Sequence, residues 1–390
     1  MQSFMSNIQK RKIIMIKSKK ILHWQLPAIL FYILLIINTG SAENNVLNIV
    51  SQPLDLRPQG KASVQKKTSH ETTILPDIDD QYPGCKFKGN YIYAGAINLV
   101  WNEMKKNIGG EEVKLKTKDN NVLHFINIMN NFTFDQKDLD SNSYYIKSGF
   151  GQAVEDLINK EVMIKFPDKK LPKLDFMLEP TDLIMYAYIY KNLFYVNKFK
   201  PQNFLFDNQV VTGFFASTQE QKNTVEIIHY WTDDKFILKI KLKDSSDELI
   251  LAKGFDQKNP IAVMSALNVE EKTTASNLGK SDVFGMPELH FTYGHVFKDL
   301  EYLQFSNQKF KNKQLSIFFE KVKFDLDYNG VRMENESCMI ARTGAPPKFD
   351  KKLLLNKPFW LIIKKKESRK PYFILGINNE EFMKNPQKME

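Results

Sequence analysis

From residue 183 onward the chain is a succession of apolar runs of strand length set apart by turn residues, which limits it to folds built around a large sheet. Residues 183–196 form a long apolar and aromatic run, rich in Tyr and Ile, suited to a central strand buried on both faces. Residues 210–216, 225–231 and 248–253 are shorter runs of the same kind, and 235–243 (KFILKIKLK) alternates with period two. Residues 289–292, 314–326, 359–363 and 372–377 complete the strand set. Asp233-Asp234 and the DSSD stretch at 244–247 fall between runs, where turn chemistry accounts for them, with a calcium site as the other reading. Helical signals come earlier, over 91–104, 122–129 and 151–166. In the last of these, Val154, Leu157, Ile158 and Val162 recur at helical spacing with charges opposite. Helices first and strands later predict an α+β fold around a large, mostly antiparallel sheet, with N-terminal helices and an exposed C-terminal loop.

The N-terminus reads as a targeting segment. Lys10, Arg11, Lys12, Lys17, Lys19 and Lys20 form a basic lead, and residues 26–37 are an apolar stretch of 12 residues. Gly40-Ser41-Ala42 then supplies small residues, so residues 1–42 are expected to be a secretory signal peptide cut after Ala42. The stretch is short for a membrane span, which takes roughly 20 residues; an uncleaved anchor is the alternative, and the membrane enters only in that case. Met5 or Met15 are alternative starts. Residues 1–42 hold six basic groups and no acidic one, so the formal +10 of the chain falls to +4 for the rest, too mild to point to nucleic acid. Residues 43–84 are polar and aperiodic and are expected to be a mobile linker; residues 85–383 are expected to form the globular domain.

The chain has no Gly-rich phosphate loop, no GxSxG, no HExxH and no CxxC. His290 and His295 are five apart in a strand-then-turn region, a spacing that does not bring both to one metal. No catalytic residue, cofactor or metal is therefore expected. Cys85 and Cys338 form one disulfide or remain two thiols. Asn131-Phe132-Thr133 and Asn335-Glu336-Ser337 match the N-glycosylation pattern of a eukaryotic secretory pathway.

The C-terminal quarter narrows the reading. A strand-like run ends at Asn329-Gly330, an aperiodic polar segment follows, and Pro346-Pro347, then Asn356-Lys357-Pro358-Phe359, lead into two closing apolar runs. Residues 154–166, then 178–199 ending in Phe199, then Met286-Pro287-Glu288-Leu289-His290-Phe291 and Phe297-Lys298-Asp299-Leu300 stand in order before it. In order and spacing these blocks resemble the serpin (serine protease inhibitor) family, in a divergent form, over about residues 150–380. The resemblance implies a main sheet crossed by the 154–166 helix, and a loop from Gly330 to about residue 350 that a protease can cut. In the family the cut loop then inserts into the main sheet as a new strand.

The loop departs from what insertion needs. Small side chains suit a closely packed slot, because each overpacked site costs roughly 1–3 kcal/mol. Here the inward alternation from Gly330 places Val331, Met333 and Asn335 in the hinge, and Met333 and Asn335 are bulky. Tyr328 stands where the family carries Glu, Glu320 where it carries His, Tyr186 where it carries Asn, and Phe194 where it carries Trp. Counting along the loop leaves Arg342, Thr343, Gly344 and Ala345 as bait candidates. The preferred expectation is a secreted serpin-like binding or structural module that does not trap proteases. Second is an inhibitor of a serine or cysteine protease through the bait residues; third is a secreted enzyme of unrecognised type. The expected partner is a protease or another extracellular protein.

Overall fold

Among the described residues the strands assemble into three sheets. The computed structural model describes residues 29–38, 72–75, 89–132, 134–169, 171–257, 261–269, 275–329 and 350–386. The main sheet has five strands, all antiparallel to their neighbours. They are β1 (Ile29–Asn38), β4 (Tyr144–Phe150), β5 (Leu183–Lys191), β13 (Leu289–Val296) and β14 (Gln314–Leu326), in the order β13-β14-β1-β5-β4. The second sheet has eight: β2 (Thr73–Leu75), β3 (Tyr91–Ala94), β8 (Val225–Thr232), β9 (Lys235–Ile240), β10 (Asp247–Lys253), β11 (Ser276–Asn277), β16 (Phe359–Lys365) and β17 (Pro371–Ile377). The third has four: β6 (Lys200–Phe206), β7 (Gln209–Phe215), β12 (Val283–Pro287) and β15 (Lys352–Leu354). Among the described residues only β2–β3 and β12–β15 are parallel pairs. The helices are α1 (Ala96–Asn107), α2 (Asn120–Asn131), α3 (Gln152–Lys165), α4 (Gln219–Asn223) and α5 (Ile261–Val269).

Strand periodicity divides the side chains of β5 between two cores. Leu183, Met185, Ala187 and Ile189 face the large inner core, with Ile97, Val100, Trp101 and Met104 of α1. Ile184, Tyr186 and Tyr188 face outward and are covered by Ile158 and Val162 of α3 and by Phe166 just after it. That double burial is why residues 183–191 read as one unbroken apolar run. The eight-stranded sheet is likewise covered on both faces. Leu238, Leu251, Leu361 and Leu375 enter the inner core, while Tyr91, Tyr93, Ile250 and Trp360 pack with Val263 and Met264 of α5.

Several expectations are corrected. The helical signal over 91–104 is divided: Tyr91–Ala94 is a strand paired to β17, and the helix begins at Ala96. Tyr91 and Tyr93 point to one face and Ile92 to the other, and a continuous apolar run cannot by itself tell strand from helix. β5 stops at Lys191, short of residue 196. β13 continues past 292 to Val296, paired with β14 from Leu289↔Leu326 to Val296↔Phe319. β6 carries no strand signal because only Phe204 and Phe206 are buried in it. Its partner β7 follows through Asp207 (φ 41°) and Asn208 (φ 69°), the positive-φ pair that suits a two-residue hairpin turn. The segment read as a linker contributes β2, held by Thr73 N donating to Asn90 O and by the Tyr293 hydroxyl donating to Thr72 O. The apolar stretch of the leader reading is β1, the middle strand of the main sheet.

Candidate functional site

The site comprises the middle of the main sheet and the two roots of the 330–349 segment. β1 lies between β5 and β14. It pairs with β14 from Leu30↔Lys323 to Asn38↔Gln314, with one register shift between Ile36 and Ile37. It pairs with β5 from Ile29↔Lys191 to Ile37↔Leu183 without a break. Both flanking strands thus spend their inward-facing backbone hydrogen bonds on β1. Without it, each would present an unpaired edge in the middle of the molecule.

Two positions singled out in the sequence line this place, but they do not meet. Tyr186 is in register with Leu34 and Phe319, and its ring faces the α3 side, 6.0 Å from that of Tyr145. Glu320 is in register with Ile33 and Ala187, and the alternation of β14 turns it to the inner core with Phe318 and Val322. The two therefore occupy opposite faces of the sheet. Glu320 is fully buried, neither carboxyl oxygen has a hydrogen-bond partner, and burial pushes its carboxyl well above the usual carboxylate range. Opposite it on β13 stands His295, whose imidazole is held down by burial, with Asp299 opposing.

β14 leaves the sheet through Asp327, Tyr328 and Asn329. Asn329 N donates to Asp327 Oδ1 at 2.7 Å, and Phe199 N donates to Tyr328 O at 2.8 Å. Phe199 packs on Tyr195, Phe214 and Phe284 at ring distances of 5.1–5.5 Å, so this root rests on a solid aromatic cluster. The other root begins at Asp350, whose N donates to Ser281 O. Lys352 N donates to Asp233 Oδ1 at 2.9 Å; this bond leads the lowering of the Asp233 carboxyl, against partial burial and with help from Tyr230. Next to it, buried Lys253 donates to Asp234 Oδ1 at 2.9 Å and Asn356 Oδ1 at 2.8 Å. The segment therefore connects a strand of the five-stranded sheet to one of the four-stranded sheet. Gly330, Val331, Met333, Asn335, the bait candidates Arg342, Thr343, Gly344 and Ala345, and both Cys85 and Cys338 lie outside the described residues.

His290 and His295 face opposite sides of β13. His290 Nδ1 lies 3.2 Å from Asp325 Oδ1, and its imidazole is raised: burial works against the charge, but Asp325 and Glu288 outweigh it. Among the described residues no three His, Cys, Asp or Glu side chains converge as a metal site, and no helix is long and apolar enough to cross a membrane. A recess of about 490 Å³ beside α1 is lined by Leu99, Asn102, Lys106, Phe134 and Lys137, and both lysines there already pair with acids.

Each block of the family resemblance now rests on an element. The 154–166 stretch is the helix lying across the outer face of the main sheet, and β5 and β14 flank the sheet's central strand. β16 and β17 are adjacent closing strands, and the 330–349 segment links two sheets. The fold is serpin-like. No protein-family model matches the sequence, and no curated protein sequence does. Among solved structures the chain is similar to the mouse protein-Z dependent protease inhibitor, at 13% identity and a TM-score of 0.46, with 75% of this chain and 91% of that one covered. It is similar to Manduca sexta serine protease inhibitor (serpin)-12 at 11% identity and a TM-score of 0.45, covering 75% and 93%. It is also similar to human thyroxine-binding globulin complexed with thyroxine, at 11% identity and a TM-score of 0.43, covering 74% and 92%. The likeness is one of fold, in a divergent form.

Proposed function

We propose that the protein is a serpin-like binding or structural module, exported from the cytoplasm, that does not trap proteases. The observation that carries this reading is the occupied position between β5 and β14. A second strand could enter only by displacing β1 and all its pairing. The bulk of Met333 and Asn335 in the hinge adds to that barrier. Residues 29–37 of this strand also belong to the apolar stretch 26–37 of the expected leader, so one molecule cannot both lose residues 1–42 and keep β1. The non-trapping reading belongs to a chain exported with its leader retained.

The competing reading is an inhibitor with bait at Arg342, Thr343, Gly344 or Ala345. It is favoured by a long segment joining strands of two sheets and belongs to a chain cut after Ala42. The two readings separate in one experiment. The N-terminus of the exported protein is sequenced, and the protein is then challenged with trypsin. A retained leader, with no SDS-stable protease complex, is the expected result. An N-terminus at Glu43 together with such a complex overturns the proposal.

A further inference from the structure

The main sheet carries a group that its packing does not use. Glu320 lies in the middle of β14 with 0% exposure, and both oxygens are unpartnered. It is in register with Ile33 of β1 on one side and His295 of β13 on the other. A buried carboxyl without a partner is tolerated only while protonated, since an ionised one in the same place is far more costly. The titratable groups carried by the surrounding inner-side elements are His295 on the inner face of β13, Glu103, Lys105 and Lys106 on α1, His124 on α2 and, beside His295, Asp299. None of them forms a hydrogen bond or ion pair with Glu320 among the described contacts.

The two strands beside Glu320 are not equally replaceable. β13 is continuous with β12 through Glu288. It is also pinned by the His290–Asp325 contact, by Tyr293, and by Phe291 stacked on Phe382 at 4.1 Å. β1 is the strand that the proposed function makes conditional, because cleavage after Ala42 would remove it.

We propose that Glu320 is a pH-sensitive latch on the middle of the main sheet: its ionisation favours the state in which β1 has left its place and water reaches β14. The sign follows from burial. With β1 in place burial holds the carboxyl well above the usual carboxylate range, and with β1 gone water reaches it and that shift is relieved. The open state then binds fewer protons, so rising pH favours opening until the closed-state carboxyl also ionises. Each unit by which the closed-state value is raised makes opening about tenfold more favourable.

The inference rests on β1 occupying this place, as the proposed function does. The test is hydrogen exchange with mass spectrometry on the full chain between pH 5.5 and 8.5, corrected for intrinsic exchange and read on peptides covering residues 30–37. The wild type should show an opening equilibrium rising by about tenfold or more across the range. Glu320→Gln should be protected throughout and flat. Glu320→Met, also uncharged, serves as the second variant should the first not fold. A protected but pH-independent wild type overturns the latch alone. So does a slope that survives in Glu320→Gln and disappears in His295→Gln. Absence of protection over 30–37 at every pH overturns both the latch and the filled-sheet reading.

Discussion

Lys191 and Asp247 tie the main sheet to the eight-stranded sheet from the inside. Their charges meet at 2.7 Å, with side chains 7% and 1% exposed, and Lys191 also lies 5.6 Å from the centre of the Tyr372 ring. Burial raises the Asp247 carboxyl while Lys191 and, after it, the nearby Tyr372 hydroxyl oppose it, so removing the cation leaves a buried acid short of its main support. Lys191→Met is expected to cost about 3–5 kcal/mol by urea unfolding. Adding Asp247→Leu should recover most of that, which a double-mutant cycle would read directly. Gly254 is the other sensitive point. Its φ is +82°, and an added Cβ would lie 2.2 Å from the carbonyl oxygen of Asp234. Gly254→Ala should therefore destabilise by at least about 1–3 kcal/mol in the same assay, because the obstacle is backbone and cannot swing aside. Neither position advertises itself in the sequence. Asp247 sits in a DSSD stretch that reads as a turn. Asp244 does act as one, accepting from Ser246 N at 2.9 Å, while Asp247, three residues on, is in the core.

Among the elements, β1 bears most on the proposed function, because cleavage after Ala42 would remove it. A chain lacking residues 1–42 would leave facing edges on β5 and β14, with unpaired N–H and C=O groups along both. Comparing this truncated chain with the full chain, we expect a lower melting temperature and stronger binding of a hydrophobic dye; equal values would show that β1 contributes nothing to the sheet. The other elements differ in how plainly the sequence marks them. α2 falls where the apolar spacing puts it and is capped by Asp119, which accepts from Asn121 N and Val122 N. β9, β10, β14, β16 and β17 begin within a residue or two of their apolar runs. β6 and β12 are hidden: β6 is an edge strand with mostly exposed side chains, and β12 is a five-residue strand interrupted by Gly285. Strands of that kind are specified by partners distant in the chain, which local periodicity cannot report.

The assembly as a whole makes a prediction about cleavage. The 330–349 segment joins two sheets and contains Arg332 and Arg342, residue types that trypsin cuts after. If the main sheet is already complete, cutting there adds no strand, and the melting temperature should stay the same or fall. A large rise would mean that the cut segment had entered the sheet and would sink the non-trapping reading. The α+β class, the positions of α2 and α3, the turn at Asn329 and the blocks resembling serpins were all legible in the sequence, because burial on one or both faces writes itself into the spacing of apolar residues. The placing of Glu320 and Tyr186 on opposite faces was not, since a face depends on register, and register depends on which strands pair. Nor was the place of residues 29–38. An apolar run of that length suits a leader and a central strand equally well, and only the vacancy between two distant strands, 183–191 and 314–326, makes it part of a sheet.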